Sequence, residues 1–328
     1  MAIATSYNIT QTSPLLSCDC GWHQRPRIVN GTNTGVNEFP AMAGLIDLLR
    51  RELTCGITII SKKYLVTAAH CFISDSEARH YAVLVGEDTE YSKLYQADKL
   101  KIHPKYNSNT KENDIAIVKT RQSIEFSFAV GPICLPFRYS FRTFVGANVI
   151  ALGVRIVLAL PPLFLDVDPV GSKLNGKPLG SRQACDCLSN DFKAPCKPHP
   201  KSSRFIAEPC TICGWGQLFF GGPKADILQK VNLTVVSNAF CQQEVTDNRI
   251  YSSEMCTYSL YKDSCMGDSG GPILWYDDTM LSSQRLFLLG VISFGSACAN
   301  EIPAVNTRIT SYLAWIVSET SDADYCIR

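Results

Sequence analysis

Gly267-Asp268-Ser269-Gly270-Gly271 is the stretch on which the reading of this chain turns. Far upstream lies Thr67-Ala68-Ala69-His70-Cys71, and between the two lies Asn113-Asp114-Ile115-Ala116-Ile117. A hydroxyl is a weak nucleophile unless a base stands beside it, and that base works best when a third group orients it. Ser269, His70 and Asp114 are the residue types such an arrangement needs. His70 can take up a proton near neutral pH. Asp114 precedes Ile115, Ala116 and Ile117, so burial is expected, and a buried carboxylate needs a partner such as His70. The glycines around Ser269 allow close backbone approach, so the amides of Gly267 and Ser269 can face a carbonyl as an oxyanion hole. An isolated Gly-x-Ser-x-Gly is often only a turn. The three segments together point to acyl transfer.

The bulk properties are consistent with this. The chain has 328 residues, 46% of them hydrophobic, and a net charge of +1, which argues against nucleic acid as a partner. Its longest apolar run, residues 149–165, is broken by Gly153, Arg155 and Pro161-Pro162, so no membrane span is expected. Fifteen cysteines are too many for a reducing cytosol, and the five histidines show no zinc-type spacing with them. Disulfides in an oxidising, extracellular setting are the expectation. Sequons at Asn8, Asn30 and Asn232 are compatible with secretion. Residues 1–17 lack the basic start and apolar core of a signal peptide, so for the leader of residues 1–27 either the true N-terminus is missing or the start is misassigned.

Short β-type runs punctuated by Gly, Pro and Asn fill residues 28–149 and return over 214–309. Examples are 56–60, 64–67, 81–85, 231–236, 286–292 and 305–309. Such spacing predicts an all-β sandwich or barrel. The apolar residues of 311–317 recur at helical spacing and predict a terminal helix.

These motifs resemble the chymotrypsin-like (trypsin-type) serine endopeptidases. Cys18-Asp19-Cys20-Gly21-Trp22 and Arg27-Ile28-Val29-Asn30-Gly31 look most like secreted arthropod venom or haemolymph members. The resemblance covers 27–150 and 214–318. It implies two six-stranded antiparallel β-barrels with the active site between them, and a peptidase domain over 28–318 with a tail at 319–328. It assigns Ser269 as nucleophile, His70 as general base and Asp114 as its orienter. Asp263 becomes the floor of a pocket for Arg or Lys, with Ser293 and Gly295 along its wall. Ala304 falls at a wall position that is usually glycine, which predicts crowding near the floor. Cleavage of Arg27-Ile28 by an upstream protease would free an ammonium to pair with Asp268 and order the site. Cys55–Cys71, Cys241–Cys256 and Cys265–Cys298 match family disulfides. Cys134 is expected to hold the leader through Cys18 or Cys20, and Cys326 has no assigned partner. No cofactor, metal or calcium site is expected. Serpin or Kunitz-type inhibitors are implied partners, besides protein or peptide substrates.

Residues 154–213 break the pattern, with seven prolines over 161–200. Joining Gly153 to Trp215 restores an uninterrupted strand, Val149-Ile150-Ala151-Leu152-Gly153-Trp215-Gly216. Two readings stand: a retained intron, or a surface loop that carries extra binding. If the insertion disrupts the second barrel, the alternative function is that of a non-catalytic secreted homologue acting by binding.

Overall fold

The structure, a computed structural model, describes residues 19–23, 32–33, 37–72, 74–86, 92–153, 228–246, 249–260, 268–277, 285–295 and 302–326. The chain divides into two compact units, Met1–Val157 with Thr211–Arg328, and Leu158–Cys210. Every described residue belongs to the first. The expected insertion at 154–213 lies outside the described residues.

Thirteen strands are described: β1 (Thr32–Asn33), β2 (Met42–Asp47), β3 (Glu52–Ile59), β4 (Tyr64–Thr67), β5 (Tyr81–Val85), β6 (Lys93–Ile102), β7 (Ala116–Thr120), β8 (Asn148–Gly153), β9 (Gln229–Val236), β10 (Glu254–Tyr258), β11 (Pro272–Tyr276), β12 (Leu286–Phe294) and β13 (Ala304–Arg308). The first barrel closes in the order β2-β3-β4-β7-β6-β5. The second runs β9-β10-β13-β12-β11-β8 and closes through β8–β9, with β1 added beside β9. All strand pairings in both barrels are antiparallel. Two six-stranded barrels are what the resemblance implied.

Alternation within strands sorts side chains between cores. In β4, Leu65 enters the first barrel, while Tyr64 and Val66 turn to the cluster shared by the two barrels. In β7, Ala116 and Val118 point in and Ile117 points to the shared cluster. Strands buried on both faces read as continuous apolar runs, as β5 (YAVLV) does. The second barrel is filled by Val149, Ala151, Leu233, Val235, Met255, Ile273 and Trp275.

The terminal helix, α2 (Leu313–Glu319), starts two residues later than its periodicity suggested. Ile309–Ser311 is wound more tightly, as a 3-10 turn. A short helix, α1 (Asn238–Glu244), is capped by Ser237, whose side chain accepts from the Phe240 amide. No described helix is long and apolar enough to cross a membrane.

Candidate active site

His70 lies in the 3-10 turn Ala69–Phe72, which follows directly on β4. The Cys55–Cys71 disulfide ties that turn to β3. Asp114 stands just ahead of β7, after Lys111 and Asn113, both in the left-handed region with φ of 59° and 58°. The Ile115 amide donates to the Asn113 carbonyl at 2.8 Å and tightens this bend.

The bend turns Asp114 onto His70. The Asp114 carboxylate receives the His70 backbone N–H at 2.8 Å and faces the ring Nδ1 at 2.7 Å. Asp114 is 1% exposed. The Ser293 hydroxyl, at the end of β12, donates to the same carboxylate. The Thr307 hydroxyl, on β13, donates to the Asp114 carbonyl at 2.7 Å, and Tyr312 donates to the Asn113 side chain at 3.0 Å. Burial pushes the Asp114 carboxyl up, but the hydrogen bonds from His70 and Ser293 and the attraction of His70 outweigh it. The net position is below the ordinary carboxylate value. The bond that the ring Nδ1–H donates to Asp114 fixes the orientation of the imidazole and leaves Nε2 to act.

The serine segment reaches the same place from the second barrel. Its turn closes through the Gly271 amide on the Asp268 carbonyl at 2.9 Å. The Ser269 carbonyl accepts from the Gly56 amide of β3 at 2.8 Å, and the Gly270 amide donates to Ile292 at 2.9 Å. Gly270 has φ of 77°, and a Cβ there would lie 2.1 Å from the Thr67 hydroxyl and 2.4 Å from the Gly56 carbonyl. Only glycine fits this contact, which packs the residue after Ser269 against the strand leading to His70. Thr67 is fixed in turn by its hydroxyl bond to Gly56 at 2.6 Å.

Of the other expected site residues, Asp268 is 3% exposed, beside Ser269. Gly295 is exposed just beyond β12, and Ala304 opens β13 at 4% exposure, opposite Thr257. Arg27, Ile28, Asp263, Gly267, Cys265 and Cys298 lie outside the described residues. Cys55–Cys71 and Cys241–Cys256 are formed as the resemblance implied. Cys134 pairs with Cys20, which settles the choice left open between Cys18 and Cys20. Cys326, which had no expected partner, is disulfide-bonded. Cys55, His70 and Cys71 bring ligand-type atoms within 4.8 Å of one another, but the disulfide leaves neither sulfur as a thiolate.

Sequence reasoning missed two contributors. Ser293 was expected only as a pocket wall, yet it holds Asp114. Thr307 was not singled out. The Ser293-Phe294-Gly295 motif carried the first signal; nothing local marked the second.

The trypsin family model matches residues 28–154 and 187–316. "Venom serine protease" of Polistes dominula is 33% identical over 94% of this chain and 91% of its own length. "Venom serine protease 34" of Apis mellifera is 34% identical over 95% of this chain, which spans 63% of that relative. "Transmembrane protease serine 9" of Rattus norvegicus is 28% identical, and this chain spans 24% of it. The matched spans include His70, Asp114 and Ser269. This chain belongs to the trypsin family of serine endopeptidases.

Proposed function

We propose that this chain is a secreted serine endopeptidase, made as a zymogen, that cleaves after Arg or Lys. The observation that carries this reading is the buried Asp114 bonded to His70 at 2.7 Å, with the Ser269 turn anchored on the strand beside it. His70 takes the Ser269 proton as the hydroxyl attacks the scissile carbonyl. Asp114 stabilises the resulting imidazolium. The amides of Gly267 and Ser269 receive the oxyanion, each contributing about 3–4 kcal/mol to the transition state. His70 then returns the proton to the leaving amine. Water repeats the sequence on the acyl-enzyme.

Asp263 supplies the charge for a cationic side chain, and Ala304 narrows that pocket. Cleavage at Arg27-Ile28 frees the Ile28 ammonium to pair with Asp268. Hydrolysis of fluorogenic Arg, Lys and Phe substrates after limited tryptic activation tests the reading. Arg and Lys turnover, with stoichiometric titration by a serine-directed phosphonate, is the expected result. A dominant Phe activity would overturn the specificity. No phosphonate uptake would favour a non-catalytic binding protein.

A further inference from the structure

Glu254 opens β10 and is 3% exposed. Its Oε2 accepts from the Tyr251 amide at 2.8 Å, while its Oε1 is buried without a hydrogen-bond partner. Several ionisable groups surround it. Glu112 and Asp114, from the bend before β7, both repel its charge. Tyr312, ahead of α2, feels that charge in turn. Arg308 on β13 is half-buried, yet its Nε donates to the Glu254 backbone carbonyl at 3.0 Å. Its other nitrogens go to the Thr143 carbonyl and the Asn238 side chain, both at 3.2 Å. The guanidinium is spent on neutral acceptors. Burial pushes the Glu254 carboxyl up, the Tyr251 amide pulls it down, and Glu112 and Asp114 add to the rise, leaving it at about 7.

The position of this acid gives it a role. Glu254 is the ladder partner of Thr307, whose hydroxyl holds the Asp114 carbonyl. Tyr312, which holds Asn113, lies in the same environment. The face that carries Glu254 is therefore the face that seats the Asn113-Asp114 bend. A neutral acid with one unpaired oxygen is tolerable there. A carboxylate facing two like charges is far costlier.

We propose that Glu254 is a positioning residue, which as a neutral acid lets β10 and β13 seat Asp114 and when ionised pushes that bend away from His70. The proposal rests on His70, Asp114 and Ser269 being the catalytic set. A negative charge behind Asp114 would also favour the imidazolium. Glu254, however, acts on the seat of Asp114 through its ladder partner Thr307.

The test compares the tryptically activated wild type with Glu254→Gln. kcat/KM on an Arg substrate is followed from about pH 5.5 to 9. Both proteins share the acid limb set by the general base, and the ratio of wild-type to Glu254→Gln kcat/KM is expected to fall about tenfold as pH rises through about 7. Parallel profiles would overturn the proposal. Thermal unfolding gives a readout that needs no activity. Between the unfolded value near 4.3 and the raised folded value, the folded state holds the extra proton, so stability falls as pH rises across that window and stays low above it. The Tm advantage of Glu254→Gln should therefore widen from pH ~5 to ~8; an advantage that does not change with pH counts against a buried neutral acid. Glu254→Met, of similar length, serves as second variant should Glu254→Gln fail to fold. A widening Tm difference in a protein that takes up no phosphonate would overturn the catalytic reading while leaving the buried acid in place.

Discussion

Asp114 stays ionised with almost no water around it because donors meet it on each side: the amide and ring of His70, and the hydroxyl of Ser293. Removing one donor leaves a buried charge short of a bond, which costs more than the bond's net worth. Ser293→Ala should therefore lower kcat by about ten- to a hundredfold with KM nearly unchanged, as steady-state kinetics would show. Asp114 also ties stability to acidity. Its folded value lies below its unfolded value, so its contribution is whole above about pH 4 and is lost as pH falls through the folded value. Asp114→Asn should flatten the acid limb of a plot of Tm against pH. An unchanged limb would place the acid-labile group elsewhere. At this scale the pairing of His70 with Asp114 was legible, because each sits in a short motif whose neighbours state its environment. Ser293 and Thr307 were not legible as supports of Asp114, since they reach it across 179 and 193 residues.

Between elements, the decisive contact is the serine turn against β3 and the end of β4. Gly270→Ala adds strain at φ of 77° and drives a methyl into the Thr67 hydroxyl and Gly56 carbonyl. A loss of about 3 kcal/mol or more is expected by urea unfolding. A loss under about 0.5 kcal/mol would mean that this seam opens freely. The strands were legible from their β-branched runs and turn residues, though not which face met which core. With both faces buried, β5 offers no polar side to break the symmetry. The junction after β8 is a separate matter. β8 and β9 are antiparallel neighbours with Gly153 opposite Gln229, so the chain between them need only return to where it left. Loop closure costs little more for a long loop than a short one. We propose that residues 154–214 are dispensable. A variant joining Gly153 to Trp215 should express, melt within about 3 °C of the full chain and keep its activity. Failure to fold would make the insertion part of the second barrel.

Across the whole molecule, the leader is built into the domain it precedes. The Cys20–Cys134 bond anchors it, Gly21 exchanges 2.8 Å hydrogen bonds with Pro132 and Leu286, and Asp19 pairs with Arg285 at 2.7 Å. Trp22 packs where any side chain on Gly131 would collide with it, and its Nε1 donates to Phe128. Disulfide-bonded Cys326 near the other end of the chain lies 3.4 Å from the Asp19 carbonyl. Cutting Arg27-Ile28 would therefore not release the leader, and activation would change the site without changing the composition of the molecule. After limited trypsin treatment, the leader should stay attached on a non-reducing gel and separate only on reduction. Arg27→Gln should resist both the cut and the gain of activity. Asp268→Asn divides the two events: it should be cut as readily as the wild type yet gain little activity, since losing one partner of a buried ion pair costs about 3–5 kcal/mol. That loss corresponds to roughly two to four orders of magnitude in turnover. A cut Asp268→Asn variant with full activity would show that the buried Asp268 is not the switch, and that cleavage orders the site by another route.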